Sequence, residues 1–337
     1  MLNLSSDRLF QLKENFGEAF YLFDSDQFAS NFKELKEAFS SIYPHFNIAY
    51  SYKTNYLPKI GKIVDFLGGY AEVVSDMELE IALHAGVSYD RIIWNGPIKN
   101  ILILQSFLLN GGTVNIDSWD ELQEILEIAQ NNPTNVLNIG VRCNYDVGDG
   151  VISRFGFDVD GSDFNNAISL ITSTPNLKLI NLHCHFAKRD VKYWPTRAKG
   201  MIDVIEKIGY IPERVDIGGG LFGKMEDALK CQFSTPIPSY KEYAEAAASV
   251  FAEYFKDKAV QPELLIEPGS ALVGDCLKYV CIIKTIKNIR GKVFATISGS
   301  QKNISMSGVN PPISIISAGQ YPQQEYKDVD LVGYTCI

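Results

Sequence analysis

The sequence has no Cys-x-x-Cys pair, few histidines and no excess of basic residues. Its six cysteines (Cys143, Cys184, Cys231, Cys276, Cys281 and Cys336) are scattered without a regular framework, which argues against a disulfide scaffold and for a reduced, intracellular chain. Lys and Arg number 31 against 40 Asp and Glu, a net charge of −9 over 337 residues, so a nucleic-acid backbone or an anionic membrane is not the expected partner. No stretch approaches the roughly 18 apolar residues of a membrane span. The opening MLNLSSDRLFQLKENF carries acids and lacks the apolar run of a signal peptide. There is no internal repeat, low-complexity tract or long charged run. What is present is 46% hydrophobic and 21% charged residues, enough apolar material for a real core. A cytoplasmic globular protein is expected.

Short β-branched or aromatic runs recur along the chain, most of them followed by an amphipathic segment. They are NIAYSYK (47–53), GYAEVVS (69–75), RIIWNG (91–96), TVNIDS (113–118), NIGVRC (138–143), LINLHCHF (179–186), RVDIGGG (214–220) and ELLIEPG (263–269). Helix-like periodicity covers 60–67, 76–85, 98–109, 120–130, 164–171, 194–207 and 240–255, with Asp76 and Ser118 placed as N-caps. Strand and helix alternating in this way predict a parallel sheet covered by helices. Eight units fit a closed (β/α)8 barrel, with a doubly wound open sheet as the alternative. In a barrel, chemistry gathers beyond the C-terminal ends of the strands. The predicted barrel covers 24–272. Residues 1–23 and 273–337 are expected to form a small β-domain from both chain ends, with a strand at FYLFDS, a hairpin turning at Arg290-Gly291, and strands at PPISIISAG and DVDLVGY.

The strand ends hold the polar residues. Lys53 closes the first run; alone it is an ordinary strand-end lysine, and at a barrel mouth it has the position of a Schiff-base lysine. His183 and His185 stand at i and i+2, so both point to one face of the pleat while Cys184 points to the other. That arrangement suits a metal less well than an imidazole stacked on a planar ligand. Gly218, Gly219 and Gly220 are more than a tight turn requires and suit a phosphate approached by backbone N–H groups. Glu267 ends the eighth run, with Gly269 and Ser270 able to add donors to the same phosphate. An amine, a stacking face, phosphate donors and a carboxylate for a pyridine nitrogen are what pyridoxal 5′-phosphate requires.

YSYKTN, AEVVSDMELEIALHAGV, IIWNGPIKN, VNIDSWDEL, RFGFDV, NLHCHF, VDIGGGL and IEPGS, in that order, resemble the motifs of the alanine-racemase-type (fold type III) pyridoxal-phosphate decarboxylases. The pattern is nearest the diaminopimelate decarboxylase branch, with ornithine and arginine decarboxylases as relatives. The resemblance implies that Lys53 is the Schiff-base lysine and that His185 stacks on the ring. Gly218, Gly219, Gly220, Gly269 and Ser270 would bind phosphate, Glu267 would pair with the pyridine nitrogen, and Glu72 and Arg142 would support the lysine end. It also implies a homodimer with shared active sites, in which Cys336 reaches the partner's site, and no metal.

Three departures stand out. Ala187 and Lys188 replace the Gly-Ser that usually follows the stacking histidine, and Ser270 replaces an arginine, so Lys188 or Arg189 is a candidate for the missing charge. GYTCI ends the chain where the family continues, so either the chain is a fragment or its β-domain is reduced. The expected activity is decarboxylation of an amino acid with a polar or charged side chain. The alternatives are a cofactor-binding protein with little catalysis and, less favoured, an amino-acid racemase.

Overall fold

The computed structural model describes residues 4–304, 309–316 and 325–336. It divides into two compact units: residues 28–223 with 237–273, and the chain ends 1–27 and 274–337 with the excursion 224–236. The chain opens with α1 (Ser6–Phe16) and β1 (Ala19–Phe23), and α2 (Ser25–Ser40) leads into the first unit. There follow β2 (Phe46–Ser51), α3 (Pro58–Phe66), β3 (Tyr70–Val73), α4 (Asp76–His84), β4 (Ile92–Trp94), α5 (Ile101–Leu109), β5 (Thr113–Ile116), α6 (Trp119–Asn131) and β6 (Leu137–Asn144). The short β7 (Phe157–Asp158), α7 (Ser162–Ser173), β8 (Leu177–His183), α8 (Trp194–Ile208) and β9 (Arg214–Asp216) continue the series. After α9 (Asp227–Lys230), which lies in the excursion, α10 (Tyr240–Phe255), β10 (Glu263–Ile266) and α11 (Ser270–Val273) complete the first unit.

All pairings in this unit are parallel. β2, β3, β4, β5, β6, β8, β9 and β10 pair in that order and β10 returns to β2, so eight strands close a barrel, with β7 attached outside to β6. Each of the eight expected runs supplies one of these strands. They are buried on both faces, as in β2 where every residue is buried, because the barrel interior lies on one side and the helices on the other. Ala49, Ile93 and Leu265 form a buried cluster with Tyr70 packed against it.

The helices bury one stripe each; α6 turns Leu122, Ile125, Ile128 and Ala129 inward at the 3–4 spacing of an amphipathic helix. Ser118 caps α6 as expected, accepting from Glu121 N at 3.3 Å. At α4 the cap is Ser75, not Asp76: Ser75 Oγ accepts from Glu78 N at 3.3 Å, and Asp76 is the first helical residue. The serine is extended, as a cap must be, and leaves the carboxylate one place into the first turn, where the helix dipole favours it.

In the second unit β1 pairs antiparallel with β11 (Leu277–Cys281). β12 (Ile283–Ile289) and β13 (Lys292–Ile297) form an antiparallel hairpin, and β14 (Val329–Val332) pairs parallel to β13. The hairpin turns at Arg290 and Gly291, with φ of 56° and 85°. The strand expected at PPISIISAG does not form over 311–316: Pro311 and Pro312 cannot donate to a ladder, and Ile313, Ile315 and Ile316 are exposed. Residues 317–319 of that segment lie outside the described residues. Gln232, in the excursion, exchanges hydrogen bonds with the Asn310 backbone at 3.0 and 2.7 Å.

Candidate active site

β2 ends in a short 3-10 turn, Tyr52–Thr54, that carries Lys53 to the C-terminal mouth of the barrel. Lys53 Nζ donates to both carboxylate oxygens of Glu72, at 3.2 and 3.0 Å. Glu72 lies on β3, directly beside Ser51 in the parallel register, is fully buried, and also accepts from Ser51 Oγ. The lysine side chain is 42% exposed, so its amine is anchored at one side and open at the other. Burial acts to lower its pKa, but the Glu72 and Glu267 carboxylates outweigh it and hold the amine above its ordinary value.

Across the mouth, Glu267 follows β10 and is buried. Its backbone N–H donates to Gly218 O at 3.0 Å, which fixes the acid against the glycine loop. Asn95 Nδ2 donates to Oε1, His183 Nε2 lies 3.2 Å from Oε1, and His185 Nδ1 lies 3.2 Å from Oε2. The two histidines therefore share a face as the i, i+2 spacing predicts. Cys184 points the other way, accepting from Tyr145 OH at 3.3 Å, and burial pushes its thiol up to about 12.

The acids of this cluster divide. Burial would raise Glu267, but the imidazoles and Lys53 hold it well below the usual carboxylate range. Burial and the neighbouring Glu267 charge raise Asp216 well above that range, so the surroundings favour the charged form at Glu267 and the neutral form at Asp216. Burial also lowers His183, which favours its neutral form. His183, Asp216 and Glu267 have ligand-type atoms within 4.8 Å of one another. That geometry is the one place among the described residues where a metal is conceivable.

The loop Gly218–Gly220 leaves β9 with φ of 73° at Gly218 and 90° at Gly220. A Cβ on Gly218 would stand 2.4 Å from Cys184 O, and one on Gly219 2.2 Å from Glu267 O. The backbone is thus packed between two strand ends where only glycine fits. Gly269 and Ser270 form the turn from β10 into α11, beside Thr54.

Sequence reasoning missed Asn95, Asp216 and a buried amide chain. Asn181 Nδ2 donates to Asn115 Oδ1 at 2.8 Å, Asn115 Nδ2 to Asn95 Oδ1 at 2.6 Å, and Asn95 Nδ2 reaches both Glu72, at 3.2 Å, and Glu267. Gly140 makes room for this chain, since a Cβ there would meet Asn115 Oδ1. The signal was available as asparagine at inward positions of buried strands. Arg142, on β6, pairs with Asp117 at 3.1 Å and packs over the Phe155 ring; its charge is felt at Lys53 and at His183, its register partner on β8. Cys336 is exposed and belongs to the chain-end unit, beyond β14.

A closed parallel barrel whose mouth gathers an anchored lysine, an imidazole, a glycine loop and a buried ionised carboxylate defines the class of barrel enzymes built on pyridoxal phosphate. The chain belongs to the pyridoxal-dependent decarboxylase family, whose pyridoxal-binding domain matches residues 26–274. It is 28% identical to diaminopimelate decarboxylase of Methanocaldococcus jannaschii over 78% of this chain and 63% of that one. It is 24% identical to the Aquifex aeolicus diaminopimelate decarboxylase over 97% and 77%. The chain thus spans less than two thirds of the first relative's length. Among solved structures, diaminopimelate decarboxylase of Helicobacter pylori in complex with L-lysine superposes with a TM-score of 0.79 at 20% identity, covering 99% of this chain and 82% of that one.

The cofactor is pyridoxal 5′-phosphate, and the residues present fit it. The glycine loop packs against the strand ends at Cys184 and Glu267 so closely that no side chain fits at Gly218 or Gly219, which leaves the loop as bare backbone beside Glu267, a desolvated negative charge, and the partly exposed Lys53 side chain. Bound there, the cofactor supplies an aldehyde and an electron-withdrawing ring.

Proposed function

We propose that the protein is an amino-acid decarboxylase, a pyridoxal-phosphate carboxy-lyase acting on a substrate with a polar or charged side chain, diaminopimelate-like. The observation that carries this reading is the division of charge at the mouth: a protonated Lys53 amine held by Glu72 on one side, and an ionised, buried Glu267 on the other. Lys53 would hold the aldehyde through its amine once that amine has given up its proton, and as the free ammonium it would carry a proton at Nζ for return to the substrate carbon, with Glu72 as its orienting partner. Glu267 would pair with the pyridine nitrogen and favour its protonated form, which is the electron-withdrawing state of the ring. His185 would lie against the ring, and Gly218, Gly219, Gly220, Gly269 and Ser270 would receive the phosphate. Arg142 supports the lysine end through the local field. The Asp216 proton and the Asn95 amide explain the buried cluster as support for one carboxylate, and no metal is assigned to it.

We further propose that residues 24–272 are the cofactor-binding domain and that 1–23 and 273–337 form a second domain. The enzyme is read as a cytoplasmic homodimer in which Cys336 completes the partner's site. No helix among the described residues is long and apolar enough to cross a membrane.

The reading is tested by carbon dioxide release from meso-diaminopimelate, lysine, ornithine, arginine and glutamate by protein supplied with pyridoxal 5′-phosphate. Release from one substrate, abolished in Lys53→Ala, is expected. Full turnover in Lys53→Ala would refute it, and cofactor binding without release from any amino acid would favour a binding protein.

A further inference from the structure

Arg197 is fully buried and, among the described residues, forms no ion pair. Lys99 and Arg142, buried at the same end of the barrel, each face a carboxylate, Glu121 and Asp117. Arg197 instead donates to three backbone carbonyls: Nη1 to Ile217 O at 3.3 Å and Gly219 O at 2.7 Å, and Nη2 to Lys188 O at 3.3 Å. Its Nε has no partner. Its guanidinium lies 4.5 Å from the centre of the Trp194 ring. The residue stands in the first turn of α8, which contains no acid, so the positive end of the helix dipole adds to its charge rather than offsetting it.

A buried cation without an anion is costly, and carbonyl dipoles offset only part of that cost. Its position shows where an anion would act. The carbonyl that Arg197 grips most closely belongs to the Gly219–Gly220 peptide. Drawing electron density to that oxygen strengthens the N–H of Gly220 on the other side of the same peptide plane. Gly220 has a left-handed φ and closes the glycine loop. Resting on the decarboxylase reading, we propose that Arg197 is a positioning residue for the cofactor phosphate: from behind the glycine loop it supplies, through the peptide, positive charge that the chain does not place at Ser270.

The discriminating measurement compares two ligands. Apo-protein is titrated with pyridoxal 5′-phosphate and, separately, with pyridoxal, following ligand absorbance, in wild type, Arg197→Gln and Arg197→Lys. The expected result is that Arg197→Gln loses about 10- to 100-fold of the preference for the phosphorylated ligand, the range for a charge-assisted hydrogen bond. Arg197→Lys, which keeps the charge, should stay within about threefold of wild type. Equal weakening of both ligands in Arg197→Gln, an unchanged preference, or a loss in Arg197→Lys as large as in Arg197→Gln would overturn the proposal. So would an Arg197→Gln variant that does not fold, since that would assign the residue to the scaffold. Wild-type protein that binds neither ligand would instead remove the decarboxylase reading itself.

Discussion

Asp216 and Glu267 are both desolvated, yet only Glu267 is surrounded by groups that favour its charge, so the environment of this pair favours one negative charge rather than two. This has a consequence for stability. The folded-state pKa of Asp216 is raised, so above the ordinary carboxyl range the folded chain binds a proton that the unfolded chain has released. That contribution is complete below the ordinary range and is lost as pH rises toward the raised value. Glu267 works in the opposite sense, stabilising above the ordinary range and losing that stabilisation only as pH falls through its depressed value. Asp216→Asn keeps an acceptor for Gly218 N–H, 2.8 Å away, and removes the titration. It should match wild type near pH 4 and exceed it by about 1–3 kcal/mol at pH 8. Melting temperatures across that range check this, and a difference independent of pH would sink it.

The strand-to-helix turns repeat one device. Ser75 and Ser118 cap α4 and α6, and the glutamates three residues on, Glu78 and Glu121, accept the N–H groups of Val74 and Asp117 at 2.8 Å. Each turn thus fixes the strand end that presents Glu72 or pairs with Arg142. Ser118→Ala should cost about 1 kcal/mol, the usual worth of such a cap, read as a lower denaturation midpoint with an unchanged denaturant slope; no loss would show that Glu121 alone holds the turn. The eight barrel strands were legible because period, length and flanking turn residues agreed in every run. The segment 311–316 was not, because isoleucines suggested a strand where the two prolines before them deny it donors. Asp76 misled by one residue, since aspartate and serine both suit an N-cap and only backbone conformation separates them.

At the scale of the whole molecule, the proposed homodimer makes the site a shared one. Lys53 of one protomer and Cys336 of the other would complete each centre, so the two residues can be separated genetically. Co-expressed Lys53→Ala and Cys336→Ser chains should recover about a quarter of wild-type decarboxylation: with random pairing, half the dimers are mixed and each has one intact site. No recovery from two variants that are each inactive but folded would exclude sharing. The site motifs were legible in sequence because each strand end carries its own local pattern. Asn95, Asn115 and Asn181 stood out only as asparagines in or beside buried strands; their connection was not legible, since hydrogen bonds between residues 20 and 66 positions apart leave no periodic trace.

The sequence by itself determined the barrel and placed Lys53, the glycine loop and Glu267 at its strand ends as candidates, because strand alternation and left-handed glycines are local constraints that a short stretch of chain expresses. Only the tertiary structure set which of two buried acids has surroundings that favour its charge, that a chain of three asparagines ends on both Glu72 and Glu267, and that Arg197 stands behind the glycine loop without an ion pair among the described residues. Those properties depend on desolvation and on neighbours contributed by different strands, and neither exists until the barrel closes.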